Sequence, residues 1–208
     1  MFQFAEISMT TWSILAALII LGIVLYIMTH NRRKWTTRMM ANASLCIALA
    51  FILSYVKLYE MPQGGSVTLA SMIPILMFAY AYGVAPGLMI GFAYGLLQFV
   101  QGGWFVHPIQ FLLDYPLAFS MLGFAGIARQ LPDRWGMIPG ILLAVVLRFL
   151  CAFLTGVFFW GDGAGEQNVL VYSAVYNGTY LIPETAISLA VAMVPQIRRL
   201  ARELTLSN

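Results

Sequence analysis

Three ionisable side chains, Asp114, Arg148 and Glu184, stand inside long apolar runs. Charge within a bilayer is costly, so each is a functional candidate by default. Flat side chains surround Asp114: Trp104 and His107 precede it and Tyr115 follows. Trp160 ends the next run, and Tyr172, Tyr176 and Asn177 open the last. Aromatic faces around one carboxylate suit a flat cationic ligand, because ring quadrupoles attract a desolvated cation by about 2 kcal/mol or more. The carboxylate adds a charge partner or a bidentate hydrogen bond to an amino-heterocycle, and Tyr and Asn fix orientation. Blander readings stand beside this one. Asp114 and Arg148 could form a structural ion pair. Pro183 frees a backbone carbonyl that makes a local polar spot for Glu184. Interfacial aromatic belts account well for Trp12, Trp35 and Trp135.

Other chemistries lack their residues. There is no G-x-x-x-x-G-K-[ST], so the chain has no P-loop for ATP. Neither H-E-x-x-H nor G-x-S-x-G occurs, and only His107 near Asp114 offers even a loose base pair for an intramembrane enzyme. The reading is of a binding protein, not an enzyme, with no cofactor. His30 and His107 fall on opposite membrane sides, which rules out a multi-His metal site. Cys46 and Cys151 both lie in apolar runs without metal-ligand spacing and read as small buried residues.

The elements that must position these groups are membrane helices. With 61% hydrophobic and 9% charged residues and a mean hydropathy of +0.85, the chain is no ordinary soluble domain. Its apolar runs approach the roughly 20 residues needed to cross the hydrocarbon, and in lipid they must be helical. The fold class is all-α integral membrane. Expected spans run from Thr11 to Met28, Met39 to Lys57, Thr68 to Tyr82, Pro86 to Val100, Pro108 to Ile127, Met137 to Trp160 and Val169 to Val194. The first has its basic residues after the apolar run, unlike a signal peptide. Residues 1–36 therefore read as an extra N-terminal transmembrane helix with a basic cytoplasmic loop, and 37–208 as a six-helix domain.

Of eleven Lys and Arg residues, nine fall on one side in this threading: Arg32, Arg33, Lys34, Arg38, Arg129, Arg134, Arg198, Arg199 and Arg202. That side is cytoplasmic by the positive-inside rule, which puts the C-terminus inside and the Asp114 cluster toward the exterior. The net charge of +3 thus concerns headgroups and topology, not nucleic acid. Met61 to Ser66 is an outer, breaker-rich loop. In the second span Ser44 with Ala48, and Cys46 with Ala50, are small-xxx-small pairs that permit close helix approach, within the bundle or to a partner.

The stretches Met61-Pro-Gln-Gly-Gly-Ser-Val-Thr-Leu-Ala-Ser-Met-Ile-Pro74, Tyr94-Gly-Leu-Leu-Gln98 and His107-Pro-Ile-Gln-Phe-Leu-Leu-Asp-Tyr-Pro116 carry a resemblance. So do Arg148-Phe-Leu, Gly156-Val-Phe-Phe-Trp-Gly161 and Tyr172-Ser-Ala-Val-Tyr-Asn177. From about Arg38 to Arg199 the chain resembles the thiamine-specific substrate-binding (S) components of energy-coupling factor (ECF) transporters. The resemblance implies a six-helix bundle in the bacterial cell membrane that captures thiamine from outside under the Met61–Ser66 loop. It implies partnership with a membrane scaffold subunit and two ATPase subunits, the scaffold docking on Ser44, Ala48, Cys46 and Ala50. By motif, Asp114 takes the family's acidic position and Tyr115 its Tyr. Trp160 matches the ring-stacking aromatic, Tyr172 and Asn177 polar contacts, Arg148 a basic residue, and Trp104, more loosely, an outer aromatic. Two departures accompany it: Ala152, where a ligand-stacking His is usual, and the extra first helix. His107 could compensate for the former from a neighbouring loop, although its place in the His-Pro motif argues for a separate role. The ligand is then thiamine or a close pyrimidine or thiazole relative. The alternative from another class is a stand-alone proton-coupled carrier cycling protons on Asp114 or Glu184.

Overall fold

The computed structural model describes residues 35–62, 64–132 and 136–206, together with Gly22. The expected span from Thr11 to Met28 and the basic loop ending at Lys34 lie outside the described residues, as do Arg134 and Trp135.

Thr36 starts the first described helix: its side chain accepts from the Met39 N–H at 3.2 Å, capping an otherwise orphaned donor. The helix, α1, runs Thr37–Ser54. It stops three residues short of the expected Lys57, because Lys57–Glu60 leaves as an extended strand, β1, paired antiparallel with β2, Ser66–Thr68. The loop expected on the outside is thus the turn of a small hairpin. Gly64 and Gly65, at φ +90° and +88°, supply the left-handed backbone it needs.

Next comes α2, Ile73–Tyr82, with all ten residues buried. Gly83 at φ +97° links it to α3, Val84–Val100. Gly91 and Gly95 on α3 lie against the backbone of Phe119–Ser120 and of Tyr115–Pro116, so close that a Cβ at either glycine would collide with a carbonyl. Such close backbone approach is what small residues give membrane helices.

The Asp114 helix, α4, spans Pro108–Gln130 but is not uniform. A short α-helical start, Pro108–Leu112, widens into a π-helical turn, Leu113–Leu117, and the helix tightens to 3-10 geometry over Met121–Gln130. Pro116 is the cause we assign: it has no N–H and its ring clashes with the preceding turn of a regular helix, which the wider turn relieves. Asp114 sits inside that turn, where π geometry often accompanies function.

Helix α5, Ile138–Phe159, is followed by a 3-10 turn at Gly161–Ala164. Asn168 then caps α6, Val169–Met193, accepting from Leu170 N–H at 2.9 Å. At Val194 the chain bends by 76° into α7, Pro195–Leu206. Among the described residues α1, α4 and α5 are each long and apolar enough to cross a membrane, and the bent α6–α7 pair makes a fourth; α2 and α3 are shorter. Helices α1 to α6 occupy the places expected for spans two to seven. The main core gathers Met72, Ile75, Leu76, Phe78, Tyr82, Tyr94, Leu122 and Ile141.

Candidate ligand-binding site

A cavity of about 550 Å³ lies between the hairpin and helices α3 to α6, within the range usual for small-molecule sites. Asp114, Tyr115, Trp104, Arg148, Trp160, Tyr172 and Asn177 all line it. Among these seven the most distant in sequence, Trp104 and Asn177, are 73 positions apart.

At the rim, Trp104 is 55% exposed and meets Trp160 edge to face, ring centroids 6.2 Å apart. The hairpin contributes Lys57 and Glu60, joined by a 2.7 Å exposed ion pair. Tyr172, Tyr176 and Tyr180, four residues apart on α6, succeed one another at 6.1 and 6.5 Å. The Tyr176 hydroxyl donates to Gly64 O at 2.9 Å, tying the hairpin turn to α6, and Gly65 is pressed against the Tyr180 ring.

Asp114 is positioned by a residue that carries no charge. Gln110, fully buried, donates from Nε2 to Asp114 Oδ2 at 2.8 Å and to Trp104 O at 3.2 Å, while its Oε1 accepts from Val106 N–H at 3.1 Å. The Tyr115 hydroxyl accepts from Trp104 N–H at 2.8 Å. One side-chain amide and one phenol therefore set both Asp114 and the Trp104 loop. Asn177 is likewise engaged: Nδ2 donates to Ser173 O at 2.9 Å and Ala152 O at 3.2 Å, and Oδ1 accepts from the Tyr180 hydroxyl at 2.9 Å. Gly156 permits this, since a side chain there would meet Ser173 and Asn177.

At the inner end Arg148 lies over the Phe119 ring, 4.3 Å from its centroid. Its ion pair within 4 Å is with Glu184, 3.9 Å away, not with Asp114; the blander alternative, a structural Asp114–Arg148 pair, gives way to a pair between α5 and α6. Glu184, 2% exposed, also accepts from Thr68 Oγ1 at 2.6 Å. Ala152, at the position of the departure, lines the cavity with a single methyl group.

Two expectations need correction. His107 does not line the cavity: its Nδ1 accepts from Ile109 N–H at 3.2 Å, capping α4, and its ring stacks on Phe159 at 5.3 Å. It therefore does not stand in for a histidine at Ala152. Ala50 is fully buried, its carbonyl accepting from the Tyr94 hydroxyl at 3.3 Å, so it cannot meet a partner. Cys46 is half-buried and packs against the same core. Ser44 and Ala48 remain exposed. Sequence reasoning passed over Gln110, for which the available signal was a polar residue standing at membrane depth, and it named Tyr176 and Glu184 without placing them among the ligand contacts. No group of three or more metal-ligating side chains occurs among the described residues.

The family model described as "Thiamine transporter protein (Thia_YuaJ)" matches residues 40–203. The chain belongs to this thiamine transporter family. It is 35% identical to the thiamine transporter ThiT of Bacillus subtilis (strain 168) over 168 residues, 74% of this chain and 86% of the relative. With the thiamine transporter ThiT of Lacticaseibacillus paracasei it shares 29% identity over 139 residues, 59% and 69% of the two chains. Its fold matches ThiT from Listeria monocytogenes at a TM-score of 0.67 and 21% identity, over 80% of this chain and 96% of that one. It also matches the S component of a bacterial ECF transporter at 0.56 and 20%, over 80% and 97%. As a thiamine transporter family protein the chain is a multi-pass membrane protein and not an enzyme.

Proposed function

We propose that this chain is the substrate-binding subunit of an ECF-type importer, capturing thiamine, or a close pyrimidine or thiazole relative, from outside. The observation that carries the reading is the cavity in which Asp114, fixed by Gln110, faces Trp104, Trp160 and the Tyr172–Tyr176–Tyr180 row. Thiamine is a permanent cation with an aminopyrimidine. Aromatic faces favour the cation, and the carboxylate accepts from the amine. The relatives' names supply the vitamin, and one structural neighbour supplies the ECF setting. Without a P-loop of its own, the chain depends for ATP-driven uptake on a scaffold membrane subunit and two ATPases, with Ser44 and Ala48 as the docking residues of α1. Residues 1–36 form an extra span with its basic loop in the cytoplasm, and the C-terminus is cytoplasmic in the bacterial plasma membrane, as the nine basic residues favour.

Calorimetry on the detergent-purified chain tests the site: wild type binds thiamine, and Asp114→Ala lowers affinity at least about 100-fold, the scale of losing a charged hydrogen bond in a desolvated pocket. Unchanged affinity in that variant removes the assignment. Proteoliposomes holding this chain alone bind thiamine without accumulating it; accumulation driven by a proton gradient would replace this reading with that of a self-sufficient carrier.

A further inference from the structure

Asp114 and Glu184 line the same cavity but differ in what remains for them to bind. Glu184 Oε1 accepts from Thr68 Oγ1 at 2.6 Å and Ser71 Oγ at 3.3 Å. Its other oxygen, Oε2, has no hydrogen-bond partner, although the side chain is 2% exposed. Arg148 Nη1, 3.9 Å from Oε2, is near enough for charge attraction and too far for a hydrogen bond. A buried carboxylate oxygen left without a donor is costly, and native structures supply such atoms with a ligand, ion or water. The remaining contacts of Arg148, the Phe119 face and the Met72 sulfur, carry no negative charge. One guanidinium and one carboxylate, each incompletely engaged, thus meet on the cavity wall.

We propose that the Arg148–Glu184 end of the cavity is a second polar subsite. Glu184 Oε2 accepts a hydrogen bond from an alcohol of the ligand, and the carboxylate neutralises Arg148, so that the site favours the free alcohol over its phosphate monoester. The inference rests on the thiamine reading above, in which the aminopyrimidine goes to Asp114 and the primary alcohol is carried at the other end of the molecule. A phosphate in place of that alcohol brings like charge against Glu184 and no dependable donor for Oε2. An arginine without its carboxylate would instead bind the phosphate as a charge-assisted partner.

The full-length chain in detergent is titrated calorimetrically with thiamine, with thiamine monophosphate, and with the analogue whose hydroxyethyl group is replaced by ethyl. Wild type is expected to bind thiamine about 10-fold or more tightly than either, the worth of one hydrogen bond to a charged group. Glu184→Gln is expected to lower the thiamine-to-monophosphate preference by about 10-fold, because Arg148 is released. A folded Glu184→Gln protein with the wild-type preference overturns the proposal. So does a wild type that binds thiamine yet treats the three ligands alike to within about threefold. If the variant does not fold, the wild-type comparison decides alone. A wild type that binds none of the three overturns the thiamine reading, and this inference with it.

Discussion

Gln110 and Asp114 stand one helical turn apart and are joined by a 2.8 Å hydrogen bond from the amide nitrogen to the carboxylate. Gln110 holds this geometry because its remaining capacity is taken by the Trp104–Val106 loop. The acid's direction is therefore set by a residue without charge. Gln110→Leu is expected to weaken thiamine binding by about 10-fold, the effect of freeing a charged acceptor and a buried loop at once. Calorimetry measures the affinity, and gel filtration checks that the bundle remains folded.

Tyr176 is the fastener of the hairpin, through its hydroxyl to Gly64 O. Tyr176→Phe keeps the ring row on α6 and removes this bond. Ligand release should accelerate about 2- to 10-fold, the value of one neutral hydrogen bond. Stopped-flow fluorescence of Trp104 and Trp160 reads the rate; an unchanged rate would show that the turn is held by packing on Tyr180 instead.

His107 offers a contrast. It caps α4 and stacks on Phe159 away from the cavity lining. His107→Ala should leave thiamine affinity within about twofold while lowering stability by about 1 kcal/mol, as cap removal does. Thermal unfolding and calorimetry on the same sample separate the two effects.

On α1 the two small-residue pairs should behave differently. Ser44→Leu and Ala48→Leu, on the exposed side, are expected to leave thiamine binding intact and to abolish ATP-dependent uptake once the scaffold and ATPases are present. Ala50→Leu pushes into a filled core and should cost about 1–3 kcal/mol of stability, seen as a lower unfolding temperature. Uptake unaffected by Ser44→Leu and Ala48→Leu would move the docking surface elsewhere.

The parts of the fold legible in the sequence were those governed by local quantities. Apolar length placed α1 to α6, and the expense of charge at depth singled out Asp114, Arg148 and Glu184. What escaped depends on pairing across the chain. The Lys57–Glu60 strand is exposed at every residue and shows no alternation, because its pairing with Ser66–Thr68, not its own pattern, makes it a strand. Spacing of four placed Cys46 and Ala50 on one stripe of α1 without saying that the Ala50 end of it meets Tyr94. The partner of Arg148 lay 36 positions away, on a helix where Pro183 offered a sufficient local explanation for Glu184. His107 was misread because a ring nitrogen serves equally as ligand contact or helix cap. The following Pro108, at a position favoured in first turns, was the available clue.

The ten buried residues of Ile73–Tyr82 carry one more implication. A helix of that length rises about 15 Å, half the hydrocarbon thickness, and with every residue buried it is surrounded by other chain segments, not by lipid. Such a segment has no stable resting place in lipid by itself. It must enter the bilayer late, or together with its neighbour α3, once the surrounding helices can shelter its backbone. Damage to that shelter would register during biogenesis as degraded protein, well before any loss of vitamin capture could be observed.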